Sequence, residues 1–503
     1  MKSWSRIVLI VGAYPDSLAS SCNKTSPISE LSEILSEFLP SEICLHLLPF
    51  YPSSGDFGFA PNTLRKVRSD LGNWSDIGNL AKKRKIIIDG IYNHVGIEHE
   101  WVKSFLEKPS IISNVLFAYK GLQPNQGPLS PRGGFALREY HIEDECWCLW
   151  QTFSEAAADV RLDSVIAQKE IKNHLEVLAS HGVWGVRLDA LVYYAKKLDG
   201  DIRHNPGVYE KAEMVADWVY EAGLNPIAQL DCDAMGVTYF AEGKYKQIPI
   251  NDFSFSTILA LAFIEGSAKG LEHHLKLNTK LQRVVTLAPR THDGILLRSE
   301  KLSDVDKAQI IKFAQRENLK VRISNGTPYE LNCSAPYFYS KAVGVDNTYR
   351  AIVIALSVAS FGGGHAYFYL PFLVGYMPEY SAEVQDEDPR ALNRSKIPIE
   401  HINDFLKSKD GDLLADLLNV LCVVNTDNGV SHPKEIQSGK DIDSGLLVIE
   451  DKTCMLKLYV NFSNSVSTAI GVCEKEAIFT NGLTENGVLK PLSVAIVKSD
   501  EER

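Results

Sequence analysis

The feature that most constrains this chain is an alternation. Short runs of β-branched and apolar residues, each followed by a longer stretch with amphipathic helical spacing, recur from the N-terminus to beyond residue 360. A run such as Ile86-Ile87-Ile88 is apolar on both faces, which suits a strand buried between two layers. Strand, helix and strand in succession is the pattern of parallel βα units. Strands are expected at 7–11, 43–48, 86–89, 185–188, 226–230, 284–287 and 366–369, and helices at 28–38, 74–83, 166–180, 207–221 and 348–360.

Two segments break the rhythm. Between 95 and 160, Gly121, Pro124, Pro128, Pro131, Gly133 and Gly134 crowd one stretch, so an excursion from a loop is expected there, of the kind that shapes a pocket. From about residue 440 short strands follow one another across turns, which reads as an all-β appendage. The expected division is a main α/β domain over 1–94 and 161–435, an inserted domain over 95–160 after the third strand, and a C-terminal β domain over 436–503.

Charge narrows the partners. A formal net charge of −11 argues against broad binding to nucleic acid or an anionic membrane, both of which want a basic face, and a small neutral substrate fits better. The nine cysteines are odd in number and show no repeated pair spacing, so reduced thiols are expected. Cys146-Trp147-Cys148, with no second pair, reads as structural thiols rather than a metal or redox site. Met1 to Arg6 followed by the run 7–13 has the layout of a short signal peptide, and the same run has the length of a buried parallel strand. No apolar stretch approaches a membrane span, so cytoplasm is the expected compartment.

In a βα barrel the chemistry gathers at the C-terminal ends of the strands. Four strand ends here carry acidic residues: Asp89-Gly90-Ile91-Tyr92-Asn93-His94, Arg187-Leu188-Asp189, Asp231-Cys232-Asp233 and Thr291-His292-Asp293-Gly294. A lone acidic residue after a strand is ordinarily a helix cap or a turn former. Four of them together, two with histidine, point to a site.

With the segments 48–59 and 67–76, these motifs and Arg390-Ala391-Leu392-Asn393-Arg394 stand in the order found in the α-amylase superfamily of glycoside hydrolases, and the chain resembles its sucrose phosphorylase-like branch. The resemblance implies a (β/α)₈ TIM barrel with an inserted loop domain and a C-terminal all-β domain. It also implies a retaining mechanism, in which one carboxylate attacks the anomeric carbon and a carboxylic acid about 5 Å away protonates the leaving oxygen. Asp189 matches the nucleophile, with Arg187 beside it as the cation that favours its ionised form. Asp293 matches the third carboxylate, and His94 and His292 match donors to sugar hydroxyls. Asp56 and Arg390 match a pair closing the floor of a pocket for one glucosyl unit, with Phe59 and Phe153 as apolar walls.

The pattern departs from the family at the fifth strand. Where relatives carry the general-acid glutamate, the chain reads Ile227-Ala228-Gln229-Leu230-Asp231-Cys232-Asp233. Counting back from Asp252-Phe253 lands on Cys232, whereas the apolar pattern of the strand points to Asp231. Asp233 shares the face of Asp231, and Glu242 lies well past the strand end. Aspartate is shorter than glutamate by one methylene, roughly 1.5 Å of reach. Glu330 stands where sucrose-using relatives carry glutamine, and Gly362-Gly363-Gly364-His365 lacks the family's proline-containing turn.

The expected activity is that of a retaining α-glucoside phosphorylase or transglucosylase working on a sucrose- or glucosylglycerate-like glucoside, with Asp189, Asp231 and Asp293 as the catalytic set. Its expected partners are then a sugar substrate, with phosphate as a candidate acceptor, and no nucleic acid and no membrane. An α-glucoside hydrolase of the same fold, and a sugar-binding protein impaired by the strand-five change, are the alternatives. No organic cofactor and no metal are expected, because neither a phosphate cradle ahead of a helix nor a carboxylate cluster in the insert is legible.

Overall fold

The computed structural model describes residues 9–19, 25–281, 283–379, 390–426, 434–439 and 445–499. Its centre is an eight-stranded parallel sheet. The strands are β1 (Leu9–Ala13), β2 (Cys44–Leu47), β3 (Ile86–Gly90), β4 (Gly185–Leu188), β5 (Asn225–Ala228), β6 (Ile250–Asp252), β7 (Val285–Leu287) and β8 (His365–Tyr369), hydrogen-bonded in the order β5-β4-β3-β2-β1-β8-β7-β6. The seam between β5 and β6 is closed past the end of β5. There the Ala228 N–H donates to Pro249 O at 2.9 Å, Asn251 N–H to Leu230 O at 2.7 Å and Cys232 N–H to Asn251 O at 2.8 Å. Parallel strands with a helix after each and a closed seam make a (β/α)₈ barrel.

Seven strand expectations fall on barrel strands, and the five expected helices fall on Pro27–Phe38, Trp74–Lys83, Val165–Ser180, Val208–Glu221 and Thr348–Phe361. Residues 7 and 8 of the first expected strand lie outside the described residues. The sixth strand, Ile250–Asp252, is too short to show a pattern, because its register depends on backbone bonds to both neighbours. The N-terminal apolar run enters the centre of the barrel as β1, between β2 and β8.

Strand fidelity in so tight a barrel depends on where side chains are absent. A Cβ on Gly12 would lie 1.8 Å from Tyr367 Oη, so the bare glycine lets that tyrosine cross the barrel interior and meet His46 Nδ1 at 3.1 Å. The Gly362-Gly363-Gly364 run does related work at the end of helix Thr348–Phe361. A Cβ on Gly364 would lie 2.0 Å from Val285 O, so this run is a close packing of backbone on β7.

The excursion after β3 is ordered. It holds helix Glu100–Glu107 and an antiparallel sheet of Ala118–Lys120, Glu145–Trp150 and Leu137–Ile142. A second excursion, not foreseen from sequence, leaves β7 and builds the sheet Ile295–Leu296, Thr327–Asn332 and Lys320–Ser324 with helix Asp304–Arg316. The two meet where Ser324 Oγ donates to Pro131 O at 2.8 Å and Asn325 Nδ2 to Ser130 O at 3.0 Å. Together they roof the C-terminal mouth of the barrel. Beyond the barrel, Lys434–Ser438, Leu446–Asp451, Leu456–Asn461, Ser493–Lys498 and Ala477–Thr480 form a five-stranded antiparallel sheet. It packs on helix Thr348–Phe361, where Arg350 Nη1 donates to Ser493 Oγ at 3.2 Å. Among the described residues no single helix is long and apolar enough to cross a membrane.

Replacing Gly12 with alanine drives a methyl group into Tyr367 and is expected to cost about 1–3 kcal/mol, the usual range for overpacking. Urea denaturation measures it, and an unchanged midpoint would show that the barrel interior yields at this point.

Candidate active site

One cavity of about 200 Å³ opens at the C-terminal mouth of the barrel, below the roughly 300–1,000 Å³ of pockets for drug-sized ligands. Asp56, Phe59, His94, Phe153, Asp189, Asp231, His292, Asp293 and Arg390 all line it. Arg187 lies beneath Asp189 rather than on the wall.

Asp189 follows the last residue of β4, and its N–H donates to Gly90 O of β3 at 3.2 Å. The chain then turns sharply, with Ala190 in the left-handed region at φ 52°, a conformation that costs a non-glycine residue free energy. Gln229 stabilises that turn by accepting the Ala190 N–H on Oε1 at 2.7 Å. Arg187 is shared. Its Nη1 makes a very short ion pair with the fully buried Asp89 and stands 3.4 Å from Asp189 Oδ1. Asp89 is bound on its other oxygen by His46 Nε2 at 3.0 Å.

This division of one cation between two carboxylates changes the electrostatics expected from sequence. Burial pushes the Asp189 carboxyl up to about 7, Arg187 opposes that only in part, and the negative charges of Asp89, Asp293 and Asp56 add to it. Asp89 itself is held well below the ordinary range, because His46 and Arg187 overcome its burial. Arg187 therefore serves Asp89 first and Asp189 second.

Asp231 sits at the β5–β6 seam, bridged to Asn251. Its Oδ1 accepts the Phe253 N–H at 3.1 Å and its Oδ2 the Ser299 hydroxyl at 2.9 Å. Burial and the nearby Asp252 push its carboxyl up to about 6, against those two bonds. Asp233 also lines the cavity, but its Oδ1 accepts the Gly236 N–H at 2.6 Å and so caps the turn Gly236–Thr238. Cys232 points away from the cavity, its Sγ accepting from Lys301 Nζ at 2.8 Å. Glu242, an exposed residue, is not part of the cavity wall.

Asp293 is the opposite case. Burial would raise its carboxyl, but Arg390 at 3.1 Å, His292 and Arg394 at 2.9 Å hold it well below the usual range. Arg390 also bonds Glu330 Oε2 at 3.0 Å, while Glu330 Oε1 accepts the Gly294 N–H at 2.5 Å. Asp56 is tied to Arg132 at 2.6 Å and Arg394 at 3.1 Å, with Arg390 at 4.0 Å. The pairing of Asp56 with Arg390 inferred from sequence is thus its longest, because Glu330 and Asp293 draw the Arg390 guanidinium toward themselves.

The two histidines differ. His94 Nε2 is engaged with Phe59 O at 2.6 Å and its ring meets Phe153 edge-on at 5.2 Å, so it positions the wall around it. His292 stacks on Phe59 at 5.1 Å, burial pushes its ring down to about 3, and its Nδ1 has no hydrogen-bond partner among the described residues. A neutral imidazole with an unused nitrogen in a sugar-sized cavity can bond a hydroxyl.

Sequence reasoning assigned no role to Gln229, Arg132, Arg298, Ser299 or Arg394. Gln229 was findable, because strand alternation places it on the face of Asp231. Arg298 was not, since it arrives on the second excursion, where it lies over the Tyr329 ring at 4.4 Å.

The model of the alpha-amylase catalytic domain matches residues 43–222. The chain is similar to sucrose phosphorylase of Streptococcus mutans, at 25% identity over 72% of this chain and 76% of that one. It is similar to sucrose 6(F)-phosphate phosphorylase of Thermoanaerobacterium thermosaccharolyticum, at 24% over 78% and 83%, and to glucosylglycerate phosphorylase of Escherichia coli, at 23% over 81% and 75%. The crystal structure of sucrose 6F-phosphate phosphorylase from Thermoanaerobacter thermosaccharolyticum shares the fold with a TM-score of 0.76 at 20% identity, over 92% of this chain and 95% of that one.

A carboxyl whose titration moves from an ordinary 3.8 to about 7 burdens the fold once ionised. The native state then binds the extra proton between those values, so its stability falls as pH rises through that window and levels off above it. Asp189→Asn removes the titration. Relative to the parent, this variant is expected to gain up to a few kcal/mol in urea denaturation on going from about pH 4 to about pH 8. A pH-independent difference would refute a raised Asp189.

Proposed function

For this chain, an enzyme of the α-amylase superfamily with sucrose- and glucosylglycerate-type phosphorylases among its relatives, we propose a retaining α-glucoside phosphorylase or transglucosylase working through a glucosyl–Asp189 intermediate. The observation that carries the reading is the spread of charge states in one small cavity. Asp293 is held ionised by two arginines, while Asp189 and Asp231 are pushed up to about 7 and about 6. Carboxyls driven apart by their surroundings are the usual means of dividing acid, base and anion roles within one site.

In the first step the ionised Asp189 oxygen attacks C1 of the glucosyl unit as the C1–O bond to the leaving group breaks. Asp231 gives its proton to that oxygen. Ser299, which bonds Asp231 at 2.9 Å and Ser254 at 2.6 Å, orients the carboxyl through the exchange. Asp293 accepts hydroxyls of the ring and His292 Nδ1 meets another. In the second step Asp231, now a carboxylate, takes the proton of the acceptor as its oxygen attacks C1 and releases Asp189. Two inversions give net retention.

Phosphate as that acceptor is supported by the cationic side of the cavity. Arg298 lines it beside Tyr329, and no carboxylate stands within ion-pair distance of it among the described residues, Glu330 acting on it only from farther off. A half-buried guanidinium placed this way suits a phosphate oxygen pair.

Release of glucosyl phosphate from sucrose or glucosylglycerate should require inorganic phosphate and be lost in Asp189→Asn. Product formed equally well without phosphate would make the enzyme a hydrolase. With a fluorinated glucosyl donor, mass spectrometry should find the adduct on Asp189, and an adduct elsewhere would overturn the assignment.

The productive form needs Asp189 ionised and Asp231 protonated. Since Asp189 sits near 7 and Asp231 near 6, only a minority of molecules hold both states at any pH. The kcat/KM profile should therefore peak between about pH 6 and 7 and fall on both sides. A profile that keeps rising above that window would remove Asp231 as the proton donor.

A further inference from the structure

We propose that Glu139, His141 and Cys146, on the hairpin of the inserted sheet, form a binding site for a divalent transition-metal cation of the zinc type, remote from the catalytic cavity. The hairpin strands Leu137–Ile142 and Glu145–Trp150 pair His141 with Cys146 and Glu139 with Cys148. Side chains at alternate positions share a face, so one face presents the Glu139 carboxylate, the His141 imidazole and the Cys146 thiol, with Cys148 buried below them. The opposite face carries Trp147 and Leu149 into the core of the insert.

The ligand atoms of Glu139, His141 and Cys146 lie within 4.8 Å of one another, and His141 Nε2 is 2.8 Å from Glu139 Oε1. Around a tetrahedral zinc ion, with bonds of about 2.0–2.3 Å, neighbouring ligand atoms stand about 3.5 Å apart. Closing the trio on an ion asks for rotamer adjustments at exposed side chains and no movement of the strands. Cys148 Sγ bonds Leu122 O at 3.1 Å, and Cys146 Sγ approaches the same carbonyl at 3.9 Å. Cys148 is fully buried and its thiol is taken up by that carbonyl, so solvent water supplies the fourth position. The His141 side chain is 75% exposed, so an ion has direct entry.

Donor chemistry decides the class. Thiol and imidazole together disfavour magnesium and calcium, which take oxygen, and favour zinc and its neighbours. Binding deprotonates Cys146 and releases that proton to solvent, so affinity rises with pH. A second trio, Asp231, Cys232 and Asp252, is less suited, because Lys301 Nζ already sits 2.8 Å from Cys232 Sγ as its cation. Sequence reading set the Cys-Trp-Cys motif aside for want of partners, and pairing of the hairpin supplies them.

The test uses the full chain, reduced and freed of metal, titrated with zinc alone and with cobalt alone. One equivalent is expected to bind, cobalt giving the d–d bands of a tetrahedral site and a thiolate charge-transfer band. His141→Ala and Cys146→Ser should each weaken binding at least about tenfold while leaving turnover unchanged, and Cys232→Ser should leave binding intact. Absence of stoichiometric binding overturns the proposal. So does binding unaffected by His141→Ala and Cys146→Ser, or binding lost in Cys232→Ser with those two variants unaltered.

Discussion

The buried pair between Asp89 and Arg187 is the interaction on which the site turns. It joins β3 to β4 below the cavity, and it absorbs most of the only cation that lies beside Asp189 among the described residues. Desolvation then dominates Asp189, as it must for a carboxyl in a low-dielectric wall with a partial counter-charge. Behind the pair, His46 and Tyr367 continue the chain of contacts across the barrel to β8, with room for the tyrosine granted by Gly12. Geometry at the nucleophile candidate is thus set by residues from five strands.

A second constraint is closure. The barrel closes between β5 and β6 through residues 228–232, the segment that carries Asp231 and Cys232. Asp231 is held there from both oxygens, while Gln229, two positions earlier on the same face, reaches across to steady the turn after Asp189. The Asp231 side chain is thus embedded in a seam that fixes its backbone. Glu330 has a similar logic at the opposite wall, where its negative charge engages Arg390 and leaves Arg394 and Arg132 to hold Asp56.

Much of this was legible beforehand. The parallel strands announced themselves because both faces are apolar, and the acidic residues at their ends announced a site because such residues are otherwise scattered caps. The second excursion after β7 was not legible, since its strands differ in length and burial, show no regular alternation and pair only with each other. Cys146-Trp147-Cys148 was legible as a motif but not as a cluster, because its neighbours lie on the facing strand.

By itself the sequence determined the class of fold and seven of its eight barrel strands, and it named the carboxylates as candidates, because these depend on local periodicity and on residue type. Tertiary structure alone decided how Arg187 is apportioned, that Asp231 and Asp233 face the cavity while Cys232 does not, which arginines clamp Asp293, and that His141 stands beside Cys146. Those are questions of burial, charge and distance between segments far apart in the chain, and no spacing along the chain encodes them.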